Sequence, residues 1–195
     1  MKKFIKDVRE FYKPYYDKGD KAHTIAHADE VCKLALKMNN GEYKEKLVVL
    51  SAYIHDIFNS KDRAKHHKLA YKYVLAAEDK FLKELNKKEL ELVAYATLQH
   101  RASYKGKFFS KLSEILSSAD RGAPKFEAIV IRCMQFNNED IDGVVDHVKD
   151  KYAKSGYAKY PKLYIDYFGK EFDEFQERAK NITKEQVIEV WSSKN

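Results

Sequence analysis

The chain has 195 residues, 44% of them apolar and 34% charged, which suits one folded domain and argues against wholesale disorder. Seven Gly and three Pro are too few for a turn-rich β protein, and the abundance of Lys, Glu, Leu and Ala favours helix. Lys and Arg exceed Asp and Glu by 37 − 30 = 7, giving a pI near 9.1. A field of that sign suits an anionic small molecule. The cations are scattered singly and in pairs among acids, as in Lys87-Lys88, so a dedicated nucleic-acid surface is not expected.

In chain order, Phe4, Ile5, Val8, Phe11 and Tyr12 recur at helical spacing over 2–16, ending near Pro14. Thr24 is the expected N-cap of a second helix through Val31, Leu34, Ala35 and Met38, which stops at Asn39-Asn40-Gly41. A third, about 43–58, is nearly all apolar from Leu47 to Phe58 and should be the buried centre. Further helices are expected at about 63–78, 87–101, 110–119, 123–136, 138–154 and 162–168. A long charged helix should then run from about 171 to Trp191. No alternation typical of strands persists, and no run of about 18 apolar residues suggests a membrane span. Cys32 and Cys133 lie among apolar neighbours, as small buried hydrophobes do. The expectation is an all-α bundle with no leader, located in the cytoplasm.

Ionisable residues stand where apolar ones belong. His55-Asp56 closes the most hydrophobic helix, and an ionised Asp buried there without a partner would cost several kcal/mol. A divalent cation held by the carboxylate and a neutral imidazole offsets that cost. His27 follows His23 by four residues, on the same face, and Asp120 closes the apolar run Leu112, Ile115, Leu116, Ala119. Two His and two Asp with no sulfur form a donor set for a hard or borderline divalent ion. Taken singly, each has a plainer role. A core His can be merely hydrogen-bonded, Asp56 can pair with a Lys or Arg, and Asp120 can cap a helix beginning at Gly122-Ala123-Pro124.

The order His, then His-Asp, then a distant Asp resembles the HD-domain metal-dependent phosphohydrolase superfamily. So do three stretches: "HTIAHADEVCKLAL", "LVVLSAYIHDI" and "VAYATLQHRASYKGKFFSKLSEILSSADR". The resemblance covers about residues 20–125, and it implies one HD domain over 1–195 with the helices of 126–195 packed on that core. It implies metal ligands His27, His55, Asp56 and Asp120. It also implies a possible second metal set or substrate contact at His66 and His100, with His66 preferred to His67 because Ala70 lies four residues on.

The implied cofactor is one or two divalent ions (Mn, Mg, Co, Ni, Fe or Zn). The implied reaction is water attack on a phosphate ester, with a nucleotide as the expected substrate. Some relatives carry a Glu just after the HD pair. Here the nearest acid is Asp62, so Asp56 and Asp62 are the catalytic candidates, although Asp62 can instead cap the next helix. Lys61, Arg63, Arg101 and Arg121 lie close in sequence to ligands and are candidates for phosphate, the arginines for their bidentate geometry. Tyr104, Phe108 and Phe109 are candidates for a base-binding wall or for core. His23 and His67 are expected to support the ligands from behind.

Three alternatives stay open. The same scaffold can hydrolyse a cyclic nucleotide or an alarmone. It can be a non-catalytic regulatory module that binds metal or nucleotide. It can also be a helical interaction protein docking through Phe172, Phe175, Val187, Val190 and Trp191. No membrane partner is expected, and a homodimer is possible.

Overall fold

The computed structural model describes residues 1–18, 23–136 and 140–193. The start of the 20–125 stretch and of the helix expected at 138–154 therefore lie outside the described residues. Among the described residues there are eleven α-helices, one short 3-10 turn and no strand, so the fold is all-α. None of these helices is long and apolar enough to cross a membrane. The chain divides into two compact units, Met1–Gly122 and Ala123–Asn195.

The first unit holds α1 (Lys2–Tyr16), α2 (Ile25–Asn39), α3 (Glu45–Ile54), α4 (His66–Ala76), α5 (Lys87–Gln99) and α6 (Lys111–Asp120). Residues Leu47 to Ile54 of α3 are all buried, and α3 packs against α1, α2, α5 and α6. A helix apolar on every side needs neighbours on every side, which makes α3 the axis of the unit. It stops four residues before the expected end. Beyond Ile54 the chain makes successive turns, with Ile57, Asn59 and Lys61 N–H bonded three residues back. Apolar periodicity cannot distinguish these turns from a continuing helix, because Ile57 is itself buried.

Helix α2 ends as expected, at Asn40 and Gly41, both with φ in the left-handed region. Thr24 takes the N-cap position, but its side chain makes no cap bond. Asn86 caps α5 with a full capping box to Glu89. Ser110 caps α6.

The second unit holds α7 (Phe126–Phe136), α8 (Ile141–Tyr152), α9 (Lys162–Phe168), α10 (Lys170–Lys180) and α11 (Lys184–Ser192) around a core that includes Phe126, Val130, Met134, Val148, Phe172 and Val187. The single helix expected over 171–191 is two. Thr183 Oγ1 accepts from the Gln186 N–H, and the Thr183 N–H donates to Gln186 Oε1, so a new helix starts there. Phe172, Phe175, Val187 and Val190, the apolar face considered for docking, are buried in this unit's own core.

Candidate metal centre

Five helix ends meet in the first unit. His27 lies in the first turn of α2, and His66 opens α4. His55 and His100 follow the last residues of α3 and α5, and Asp120 is the last residue of α6. Three of these five ends are C-termini, whose partial negative charge favours a cation.

The histidines are aimed by a repeated device. His55 Nδ1 lies 2.7 Å from the Ala52 carbonyl, His66 Nδ1 2.8 Å from that of Arg63, and His100 Nδ1 2.7 Å from that of Thr97. Each partner is the carbonyl three residues upstream. A carbonyl only accepts, so each Nδ1 donates its hydrogen there and each Nε2 of a neutral ring presents a lone pair. Ala52 and Thr97 are among the last carbonyls of their helices, which lack helical partners, so one bond both caps the helix and orients the ring.

The Nε2 atoms converge on two carboxylates. His27 Nε2 lies 3.0 Å and His55 Nε2 3.4 Å from Asp120 Oδ1, while His55 Nε2 lies 3.3 Å from Asp56 Oδ2. On its other side, Asp56 Oδ1 lies 3.1 Å from His66 Nε2 and 3.5 Å from His100 Nε2, and those two nitrogens are 3.1 Å apart. Two groups result: His27, His55, Asp56 and Asp120, and Asp56, His66 and His100. The Asp56 carboxylate belongs to both, one oxygen to each.

These groups could hold divalent ions. Ligands about 2.1 Å from a shared ion are about 3.0 Å apart at right angles and about 3.4 Å apart in a tetrahedron, close to the nearest donor pairs here. His55 Nε2 is fully buried and aligned for no hydrogen bond, although two carboxylates flank it. His66 Nε2 and His100 Nε2, 3.1 Å apart, need a proton or a metal ion between them, since two bare lone pairs repel.

Electrostatics agree with the geometry. Burial would raise the Asp56 pKa, but His55 and the neighbouring His100 and His66 hold it well below the usual carboxylate range. Burial likewise opposes ionisation of Asp120, and His27 and His55 outweigh it. His55 is held well above the ordinary imidazole value because Asp56 and Asp120 overcome its burial. For His100, burial prevails over Asp56 and lowers the pKa.

The other candidate residues stand apart from the two groups. Asp62 Oδ1 accepts from the Ala64 and Lys65 N–H, both at 3.0 Å, and so caps the turn leading to α4. Arg121 Nη1 donates to the Ser117 carbonyl, to Ser117 Oγ and to the His100 carbonyl, bracing the end of α6. Arg101 Nη1 donates to the Ala64 carbonyl at 3.0 Å, and Lys61 and Arg63 are exposed on the turn between His55 and His66. The His23 ring meets that of His27 edge-on at 6.1 Å. His67 neighbours His66, and burial, with Arg101 and other cations nearby, lowers its pKa to about 4. Tyr104 is tied into its own loop by Gln99 and Lys107, and Phe109 stacks on Tyr95 at 3.9 Å.

Sequence reasoning passed over four residues that brace the helices of the candidate ligands. Tyr53 Oη donates to Asp29 Oδ1 at 2.7 Å, and Asp29 also takes Arg9 Nε at 3.0 Å. Tyr16 Oη donates to the Tyr53 carbonyl at 3.1 Å. The available signal was a lone tyrosine among the aliphatic residues of α3, two places before His55. No family model matches this chain, and neither does any curated protein or solved structure.

Proposed function

We propose that the chain is a metal-dependent phosphohydrolase of the HD type, acting on nucleotides or related small phosphate esters. Its main support is the convergence of four imidazoles and two carboxylates, three of the rings with Nδ1 already committed to a backbone carbonyl.

His27, His55, Asp56 and Asp120 would hold one ion, and Asp56, His66 and His100 a second. The imidazoles favour Mn, Fe, Co, Ni or Zn over Ca. Bound there, such ions would acidify a water and polarise a phosphoryl oxygen. The remaining work falls to the chain. Asp56 is buried among imidazoles, so its part is to hold and orient, while His27 and Asp120 keep side-chain exposures of 12% and 20% and mark the open side of the cluster. Lys61, Arg63 and Arg101, on segments adjoining the ligands, together with the net charge of +7, would draw in an anionic substrate and neutralise charge as it develops.

The test is a metal assay of the purified chain, followed by phosphate and pyrophosphate release from a nucleotide panel with Mn²⁺, Co²⁺ or Mg²⁺. Turnover that disappears in Asp56→Ala together with the metal is expected. A metal-loaded chain that turns over no phosphate ester would overturn the hydrolase and leave a metal-binding regulatory module.

A further inference from the structure

Helix α1 contributes no ligand, yet it grips two of the three helices that position the first ligand group, α2 and α3. At its C-terminal end Tyr16, only 4% exposed, sends its phenol to the Tyr53 carbonyl. That carbonyl is among the last of α3, one residue before its end and two before His55, where the helix gives way to turns. The Tyr16 phenol oxygen also meets the backbone of Asp56. At the middle of α1, Arg9 holds Asp29, two residues beyond His27, and Asp29 in turn holds the Tyr53 hydroxyl. Tyr53 is thus fixed at both its carbonyl and its side chain, and it joins the His27 helix to the His55 helix.

We propose that Tyr16 is a positioning residue for the first metal group. By capping α3 at Tyr53 it sets the turn that aims His55 and Asp56 at His27 and Asp120. A helix end left with bare carbonyls frays, and ligand atoms that must meet at 3.0–3.4 Å tolerate little fraying. Tyr12 supplies the natural contrast. It is an equally buried phenol on α1, but its hydroxyl goes to Asp79, which caps the 3-10 turn at Leu82 through the Phe81 and Leu82 N–H. The two phenols differ in what they brace rather than in how deeply they are buried.

The inference rests on the metal reading above, and Co²⁺ alone is the probe, followed by calorimetric titration and by its visible absorption in the full-length chain. Tyr16→Phe should weaken Co²⁺ binding by about 10- to 100-fold and alter the absorption bands. Tyr53→Phe, which breaks only the link to Asp29, should weaken it in the same direction. Tyr12→Phe should lower the melting temperature while leaving the affinity and the bands as in wild type. Should Tyr16→Phe fold too poorly to titrate in buffer alone, the same titration in a stabilising osmolyte decides.

Wild-type affinity and bands in folded Tyr16→Phe overturn the proposal alone, as does equal weakening in Tyr12→Phe. A wild-type chain that takes up no Co²⁺ overturns both the proposal and the metal reading.

Discussion

Asp56→Asn should empty both ligand groups in one step. The change keeps the side-chain shape, but it removes the charge and turns one oxygen into an NH₂ that cannot ligate. Because Oδ2 faces His55 at 3.3 Å and Oδ1 faces His66 at 3.1 Å and His100 at 3.5 Å, whichever atom becomes nitrogen faces a ligand position. Loss of a partner that merely orients a ligand costs about 10- to 100-fold in affinity. Loss of a charged ligand should exceed the upper figure in each group, a change of at least about 2.7 kcal/mol. The metal-free fold should suffer as well, because breaking a buried charge pair on one side costs about 3–5 kcal/mol. Asp120 remains to support His55, so the lower figure applies. In a unit of this size that corresponds to a melting temperature lower by on the order of 10 °C.

The assay is metal content per chain by mass spectrometry after dialysis, with thermal melts of the metal-free proteins alongside. His27→Ala should remove only the first group's ion and His66→Ala only the second's. An Asp56→Asn protein that keeps one ion, with the stoichiometry of His66→Ala, would refute a carboxylate shared between the groups.

Asp62→Asn should retain turnover, and Asp62→Ala should lose about 1 kcal/mol of stability, because the carboxylate caps a turn. A fall in kcat of about 100-fold or more in Asp62→Asn would instead place it in the chemistry. Thr183→Ala should destabilise the second unit by about 1 kcal/mol in denaturant melts, whereas a neutral or stabilising effect would mean that α10 and α11 are one helix, where Ala is the better residue. His147 has its pKa lowered by burial, with Lys151 nearby. Its proton therefore favours the unfolded chain, so its contribution to stability is complete above the unfolded value of about 6.5 and declines as pH falls through that value. An NMR titration should give a midpoint below that value, and one above it would refute the assignment.

The helical class and most helix ends were legible because the signals are local. Apolar residues at helical spacing mark α1 to α8, and Asn40-Gly41 stops α2. Two boundaries were missed for one reason, which is that apolar periodicity carries through a break when the residues after it are also buried. Ile57 is buried beyond the end of α3, and Ile182 is buried between α10 and α11. At Thr183 a local sign was present, since Thr followed three residues later by Gln is a capping box, and the surrounding amphipathic pattern outweighed it.

The candidate site divides along the same line. That His55, Asp56 and Asp120 need partners could be argued from their place at the ends of apolar runs, since a buried charge demands one, whereas His27, His66 and His100 rested on the resemblance. How they gather could not be argued. The Nδ1 bonds to Ala52, Arg63 and Thr97 are made to backbone carbonyls, which every residue has, so no residue type announces them. The Asp56 carboxylate faces one group with each oxygen because α3 ends at Ile54 and the chain turns there, and that ending in turn involves Tyr16, 37 positions away from Tyr53. Tyr16 reads from sequence as one more aromatic residue on an amphipathic helix, because its hydroxyl acquires a role only once a distant helix end has been packed beneath it. Interactions through the backbone and across long separations leave no pattern in a single sequence, and in this site they are the ones that set the aim of the ligands.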